Sequence, residues 1–137
     1  MIATTIEQSK YLLELGLSPD SADMEYCYID EFNSGLQVKG DINAEVDRRL
    51  DMMFGVTHIP AWSLSALLDV MPNNDYWDIY LCQAQDGKWQ SVFHDCEFSN
   101  GEYKDFIADT PFTAAYEMVC WLLKQGLIKK GGQDERD

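Results

Sequence analysis

The stretch Trp77-Asp-Ile-Tyr-Leu-Cys82, followed by Asp86-Gly87 and then by Trp89-Gln-Ser-Val-Phe-His94, decides the fold. Apolar and polar residues alternate strictly in the first segment, which predicts a strand with one buried face. Asp-Gly is a strong signal for a tight hairpin, so the segment after it should pair with the first strand in antiparallel fashion. A second such signal, Asn100-Gly101, precedes Tyr103–Ala108, and the three segments together predict an antiparallel meander.

Three other segments carry the start and stop signals of helices. Each begins at a serine or threonine able to cap the first turn, and each ends at a glycine or proline. The predicted helices run from Thr4 or Thr5 to Gly16, from Ser63 to Pro72, and from Thr110 to Gly126. The last is strongly apolar, so we expect Pro111–Gln125 to pack on the sheet face that carries Trp77, Ile79, Leu81, Trp89 and Phe93.

The region between the first helix and the meander is less regular. Glu25–Asp30 is rich in aromatic and β-branched residues and predicts a strand, with Asn33-Ser34-Gly35 as a turn and Leu36–Lys39 as the returning strand. Helical spacing of apolar residues predicts a helix over Asp41–Phe54, ended by Gly55. The whole is an α+β fold: an antiparallel β-meander of three to five strands with N-terminal, central and C-terminal helices packed against it. Residues 1–130 form one domain, and 131–137 a flexible polar tail.

Acidic charge dominates the composition. The chain of 137 residues has 24 Asp and Glu against 10 Lys and Arg, a net charge of −14. Nucleic acids and anionic membranes are attracted mainly by Lys and Arg, so direct binding to either is not expected. A basic protein partner would be attracted instead, although acidic charge also serves solubility alone. No apolar run approaches the ~20 residues that a membrane span needs.

The cysteine pattern favours a reducing compartment. Cys27, Cys82, Cys96 and Cys120 are widely spaced and form no C-x-x-C pair. The amino end has neither the charged nor the apolar region of a secretory signal. We therefore expect a cytoplasmic protein with four reduced thiols.

Three segments, Gln8–Met24, Ile59–Leu68 and Ala114–Leu123, carry a resemblance, in which Pro60-Ala-Trp-Ser-Leu64 is the most specific element. Together they resemble a group of small uncharacterised proteins found in prophages and mobile elements of gut bacteria. The resemblance implies a cytosolic bacterial setting and a phage origin. It carries no function and no catalytic residues, and Asp41–Phe54 is not part of it.

The motifs for metal binding and catalysis are weak. His94-Asp-Cys-Glu97 offers four possible ligands, but alternation places only His94 and Cys96 on one face, and His58 would have to join from afar. A cysteine nucleophile needs a histidine base, and Ser63 and Ser65 lack a nucleophile elbow. The many carboxylates form no calcium-loop pattern. We therefore expect no metal, no cofactor and no catalytic residue.

Trp62 has two interpretations. It could be a ligand-binding aromatic, but its position directly before the Ser63 N-cap favours a hydrophobic staple with Leu67.

The function expected from these observations is non-enzymatic binding through an acidic surface, in phage or mobile-element accessory biology. The alternatives are an immunity-type inhibitor of a basic toxin, an acidic mimic of nucleic acid, and a small hydrolase. A pocket that joins a histidine, a cysteine and a carboxylate would favour the hydrolase.

Overall fold

The α+β class is confirmed by a computed structural model, which describes residues 2–29, 32–38, 56–96 and 102–128. The described ranges contain three α-helices and six strands. In chain order these are α1 (Ile6–Glu14), β1 (Met24–Ile29), β2 (Phe32–Val38), β3 (Val56–Ala61), α2 (Leu64–Asp69), β4 (Trp77–Gln83), β5 (Trp89–Asp95), β6 (Tyr103–Ala108) and α3 (Pro111–Lys124). The predicted helix over 41–54, the Asn100-Gly101 turn and the 131–137 tail lie outside the described residues.

The strands form two antiparallel sheets of three strands each, whereas a single meander of three to five strands was predicted. The meander β4-β5-β6 is confirmed, with Ile79 opposite Phe93 and Ser91 opposite Phe106. The second sheet has the order β2-β1-β3, and α1 packs on β3. Helix α3 packs on the meander and is itself contacted by α2.

The predicted turn at Asn33-Ser34-Gly35 is wrong, because these residues lie inside β2. Gly35 pairs with Cys27 and Asn33 with Tyr28, so the register shifts by one residue between them. A β-bulge inserts one residue in this way, and glycine is frequent at such sites. The turn-like composition therefore marks an irregularity within a strand.

The predicted helix starts are confirmed by their hydrogen bonds. Thr5 and Gln8 form the capping box, with each side chain accepting from the other residue's backbone N–H. The Ser63 and Thr110 hydroxyls accept from the backbone of the third helical residue, at 3.2 and 3.1 Å. Such caps satisfy amide donors that the helix leaves unpaired.

Two of the three predicted glycine stops are confirmed as well, and the third, Gly55, lies outside the described residues. Gly16 and Gly126 adopt positive φ angles of 103° and 74°. The next residues, Leu17 and Leu127, donate their N–H groups to Leu12 and Leu122, five residues back. This Schellman arrangement returns the chain towards the core. The Asp86-Gly87 hairpin also forms, with positive φ at both residues, as a type I′ turn requires.

The core lies between α3 and the meander. Phe93 is 1% exposed, and its ring lies 5.6 Å from that of Trp77 and 5.3 Å from that of Trp121 on α3. Ile79, Leu81 and Trp89 are all half-buried, and Ile79 packs against the same cluster. The helix therefore packs on the predicted face of the sheet. Within the described residues, no helix is long and apolar enough to cross a membrane.

Candidate functional site

The outer face of the meander is the side that points away from α3. Alternation along the strands assigns nine side chains to it, in three cross-strand rows. The rows are Asp78–His94–Tyr103, Tyr80–Val92–Asp105 and Cys82–Gln90–Ile107.

Large apolar side chains are exposed on this outer face. Tyr80, Tyr103 and Ile107 are 51%, 56% and 54% exposed, and Val92 at the centre of the face is only 2% exposed. Asp105 lies beside Val92 and accepts a hydrogen bond of 2.8 Å from the Gln90 amide. The face thus combines apolar anchors with carboxylates, and such a combination suits contact with another macromolecule.

A mixed cluster of potential ligands lies at one end of the outer face. The Cys96 sulfur is 3.3 Å from Asp78 Oδ2 and 3.4 Å from His94 Nδ1. We call these three residues the outer triad. His94 and Cys96 share a face as predicted, while Asp95 points to the other side and Glu97 lies outside the described residues. Asp78 enters from the neighbouring strand, and the sequence argument did not include it.

A second cluster of the same chemistry lies in the other sheet. The Cys27 sulfur is 3.2 Å from His58 Nδ1, which is 3.4 Å from Glu25 Oε1. We call these residues the inner triad, since Cys27 is buried and the other two are half-buried. All three have interactions in addition to these. His58, which a metal site at His94 and Cys96 would have had to recruit from afar, lies instead in this inner triad.

Neither triad has the geometry of a nucleophilic relay. In a relay the histidine lies between the nucleophile and the carboxylate and uses both ring nitrogens. In the inner triad, Cys27 and Glu25 both approach the same nitrogen of His58. In the outer triad it is Cys96 that lies between Asp78 and His94. The hydrogen bond from the Cys96 thiol to the Asp78 carboxylate raises the pKa of the thiol, which opposes formation of the nucleophilic thiolate.

A groove of about 380 Å³ lies between α1, α3 and β6. Tyr11, Lys104, Tyr116, Cys120 and Lys124 are among its lining residues. The Lys124 ammonium group lies 5.4 Å from the Tyr11 ring centroid, and its pKa is raised mainly by a hydrogen bond to Tyr11. Burial raises the pKa values of both Tyr116 and Cys120. These groups are therefore protonated near neutral pH and are poor nucleophiles.

Trp62 and Ser63 have structural roles, as the staple interpretation predicts. Trp62 and Leu67 are fully buried in one core cluster, and the Trp62 indole N–H donates to the Ser21 hydroxyl at 2.9 Å. The Ser63 hydroxyl caps α2 and donates to the Asp23 carboxylate, which also accepts from the Ser63 N–H at 3.0 Å. Trp62 is thus unavailable to a ligand.

Comparisons of the chain with protein-family models, curated proteins and solved structures found no match. The resemblance to prophage and mobile-element proteins therefore stays a hypothesis. The outer face and the two triads are the features of the described residues from which a function can be proposed.

Proposed function

We propose that this chain is a non-enzymatic binding protein whose outer face contacts a basic protein partner. The exposure of Tyr80, Tyr103 and Ile107 around the buried Val92 is the observation that carries the proposal. Tyrosine side chains supply large contact areas with few rotatable bonds, and they are enriched at protein interfaces.

Charge selects the class of partner. The net charge of −14 creates a negative potential around the molecule, and Asp78 and Asp105 add carboxylates on the outer face itself. Such a surface accelerates encounters with basic proteins and repels DNA, RNA and acidic lipids. Burial of the three apolar side chains would then slow dissociation of the complex.

The biological setting that we propose is accessory function in a phage or mobile element, in the bacterial cytoplasm. The resemblance of three segments supports this setting. Inhibition of a basic toxin and mimicry of nucleic acid are the two specific forms of the same binding activity. A toxin gene directly upstream favours the first, and competition between this chain and DNA for one DNA-binding protein favours the second.

A small hydrolase is the second candidate, because both triads join a histidine, a cysteine and a carboxylate. The absence of relay geometry in these triads makes it the weaker one. A hydrolase of this type would lose turnover of model thioester and ester substrates on Cys96→Ser or Cys27→Ser substitution. We expect no turnover by the wild type above the rate of a heat-denatured sample.

The test of the binding proposal compares a variant of the outer face with a control that loses exposed apolar side chains elsewhere. The face variant carries Tyr80→Thr, Tyr103→Thr and Ile107→Thr, because threonine is β-branched and suits a strand. The control carries Ile2→Thr and Leu68→Gln, since these residues are 72% and 39% exposed elsewhere. Each protein is immobilised, exposed to lysate of the host bacterium, and the bound proteins are identified and then purified.

The expected result is a partner of basic isoelectric point that binds the wild type and the control, and that binds the face variant at least about 10-fold more weakly, as loss of an interface anchor implies. Its association rate should fall as salt is added, because exposed charges are screened over about 10 Å at 0.1 M ionic strength. Equal binding by the face variant, or an association rate that ignores salt, would contradict the proposal. So would binding of the wild type to duplex DNA at micromolar concentration in low salt.

A further inference from the structure

The outer triad has the dimensions of a metal site. Zinc–sulfur bonds of about 2.3 Å and zinc–nitrogen or zinc–oxygen bonds of about 2.0–2.2 Å give sulfur–nitrogen and sulfur–oxygen separations of about 3.5–3.7 Å at tetrahedral angles. The Cys96 sulfur lies 3.3 Å from Asp78 Oδ2 and 3.4 Å from His94 Nδ1, which is slightly closer than in a zinc-bound set. All three ligand atoms lie within 4.8 Å of one another, so small side-chain rotations can bring them around one ion.

We propose that Asp78, His94 and Cys96 bind one zinc ion at the end of the outer face, with the fourth coordination position open to solvent. This inference goes beyond the proposed binding function and does not depend on it.

The ligand set selects zinc among the common divalent cations. A thiolate and an imidazole are soft and borderline ligands, which exclude calcium and magnesium as preferred ions. A thiolate and a carboxylate together carry two negative charges, which a divalent cation neutralises. The cation would also remove the repulsion between the Asp78 carboxylate and a deprotonated Cys96. Three protein ligands and one open position are typical of zinc sites that exchange a ligand.

The backbone holds the three ligands in place. Asp78 and His94 are directly opposed on the paired strands β4 and β5. Cys96 follows β5 directly, and its N–H donates to the Tyr76 carbonyl at 2.6 Å, which ties it to the segment before β4. The His94 ring also contacts the Tyr103 ring at 6.3 Å between centroids. Ligands on paired strands lose little conformational freedom when an ion binds, which favours affinity.

The outer triad is the better candidate of the two for a metal that arrives from solution. All three of its residues are exposed, whereas Cys27 of the inner triad is buried. An ion reaches the outer site without opening of the sheet. Alternation along β5 places only His94 and Cys96 on one face, and the third ligand, Asp78, is added by the paired strand β4.

The experiment uses reduced, metal-free protein from which any affinity tag has been removed. Zinc chloride is titrated calorimetrically, and cobalt(II) chloride is titrated in parallel, because tetrahedral cobalt with a thiolate ligand has a distinctive absorption spectrum. The variants His94→Ala and Cys96→Ser remove ligands of the outer triad. Cys82→Ser is the matched control on the same face, and Cys27→Ala removes the inner triad. Far-UV circular dichroism verifies that each variant is folded.

The wild type should bind zinc and should show the cobalt–thiolate band. Substitution of a group that only hydrogen-bonds to a metal ligand costs about 10–100-fold in metal affinity. Loss of the His94 or Cys96 ligand itself should therefore cost at least about 100-fold and abolish the band. Cys82→Ser and Cys27→Ala should retain the band. The proposal is overturned if the wild type shows no cobalt–thiolate band, if the band survives Cys96→Ser or His94→Ala, or if Cys27→Ala alone removes it.

Discussion

Replacement of Phe93 is the most direct test of how the helix α3 and the meander are held together. The Phe93 ring is 1% exposed and lies between the rings of Trp77 and Trp121, at 5.6 and 5.3 Å. It therefore contacts the neighbouring strand β4 through Trp77 and the helix α3 through Trp121, with tilted rings in both pairs. We expect Phe93→Ala to be strongly destabilising and Phe93→Leu to be moderately so.

The size of the effect follows from what each substitution removes. Phe93→Ala removes the buried ring and leaves a cavity, which costs about 3–5 kcal/mol of the free energy of unfolding. Phe93→Leu keeps most of the apolar volume but loses both ring contacts, at about 0.5–1.5 kcal/mol each, or about 1–3 kcal/mol together. Domains are stable by only about 5–15 kcal/mol, so the alanine variant should lose a large part of its stability.

Urea unfolding followed by tryptophan fluorescence measures these differences, because Trp77 and Trp121 flank the site. With a slope of about 1–3 kcal/mol per molar urea, the midpoint for Phe93→Ala should fall by about 1 M or more. Ile107→Thr is the control, since Ile107 is 54% exposed on the other side of the same sheet and should change stability by about 0.5 kcal/mol or less. Surface substitutions usually change the free energy of unfolding by about 0.5 kcal/mol or less. If the free energies of unfolding of both Phe93 variants lie within that amount of the wild-type value, the described packing of α3 on the meander is wrong.

Three further predictions concern caps, the hairpin and the thiols. Ser63→Ala removes the hydroxyl that caps α2 and that donates to the Asp23 carboxylate, so it should lower the free energy of unfolding by about 1–2 kcal/mol. Ser65→Ala on the exposed side of α2 should be nearly neutral in the same denaturation experiment. Gly87→Ala places a β-carbon in open space but at φ +75°, so about 1–2 kcal/mol of backbone strain should appear as a lower unfolding midpoint; an unchanged midpoint would argue against the type I′ turn. The half-exposed Cys82 should react with a charged maleimide in the native protein, whereas Cys120, which is buried and has a raised thiol pKa, should react only on unfolding. Mass spectrometry of labelled peptides measures both rates, and equal rates at the two sites would contradict the described burial.

Local signals predicted most of the elements that this structure contains. Strict alternation over Trp77–Cys82 and the Asp86-Gly87 pair were sufficient for the first hairpin, because both act within a few residues of the chain. The Thr5–Gln8 capping box and the Gly126 stop are similarly local, and both form as predicted. In these segments the local preferences of the chain agree with the tertiary fold, and such agreement is what a foldable sequence requires.

Two parts of the first sheet differ from the sequence-based expectation. No strand is predicted over Val56–Ala61, and Pro60 within it cannot donate a hydrogen bond to a sheet. The structure places this segment in β3 at the edge of its sheet, where one side of the strand needs no donor. Asn33-Ser34-Gly35 has turn composition but forms the irregular part of β2. Turn composition does not distinguish a bulge within a strand from a turn between two strands.

The candidate site was predictable only in part, for a reason of geometry. His94 and Cys96 are two residues apart, so alternation alone places them on one face. Asp78 lies 18 residues before Cys96 and joins them only because β4 and β5 pair in a register that opposes Asp78 to His94. Cys27 and His58 are 31 residues apart and meet through the pairing of β1 and β3 in the same way. Ligand clusters built across strands depend on register, and no spacing along one segment reports it.

The charge of the chain also bears on which occupant the outer face can accept. Exposed tyrosine and isoleucine side chains on a sheet with two edge strands would ordinarily favour association between copies of the same chain. Two copies each with a net charge of −14 repel one another, whereas a basic protein is attracted by the same field. The apolar contribution is similar for both occupants, so the electrostatic contribution decides between them. Because salt screens that contribution, added salt should weaken binding of a basic partner while it removes the barrier to self-association. If the outer face binds a basic partner and not a second copy of the chain, partner binding and self-association should therefore respond to salt in opposite directions.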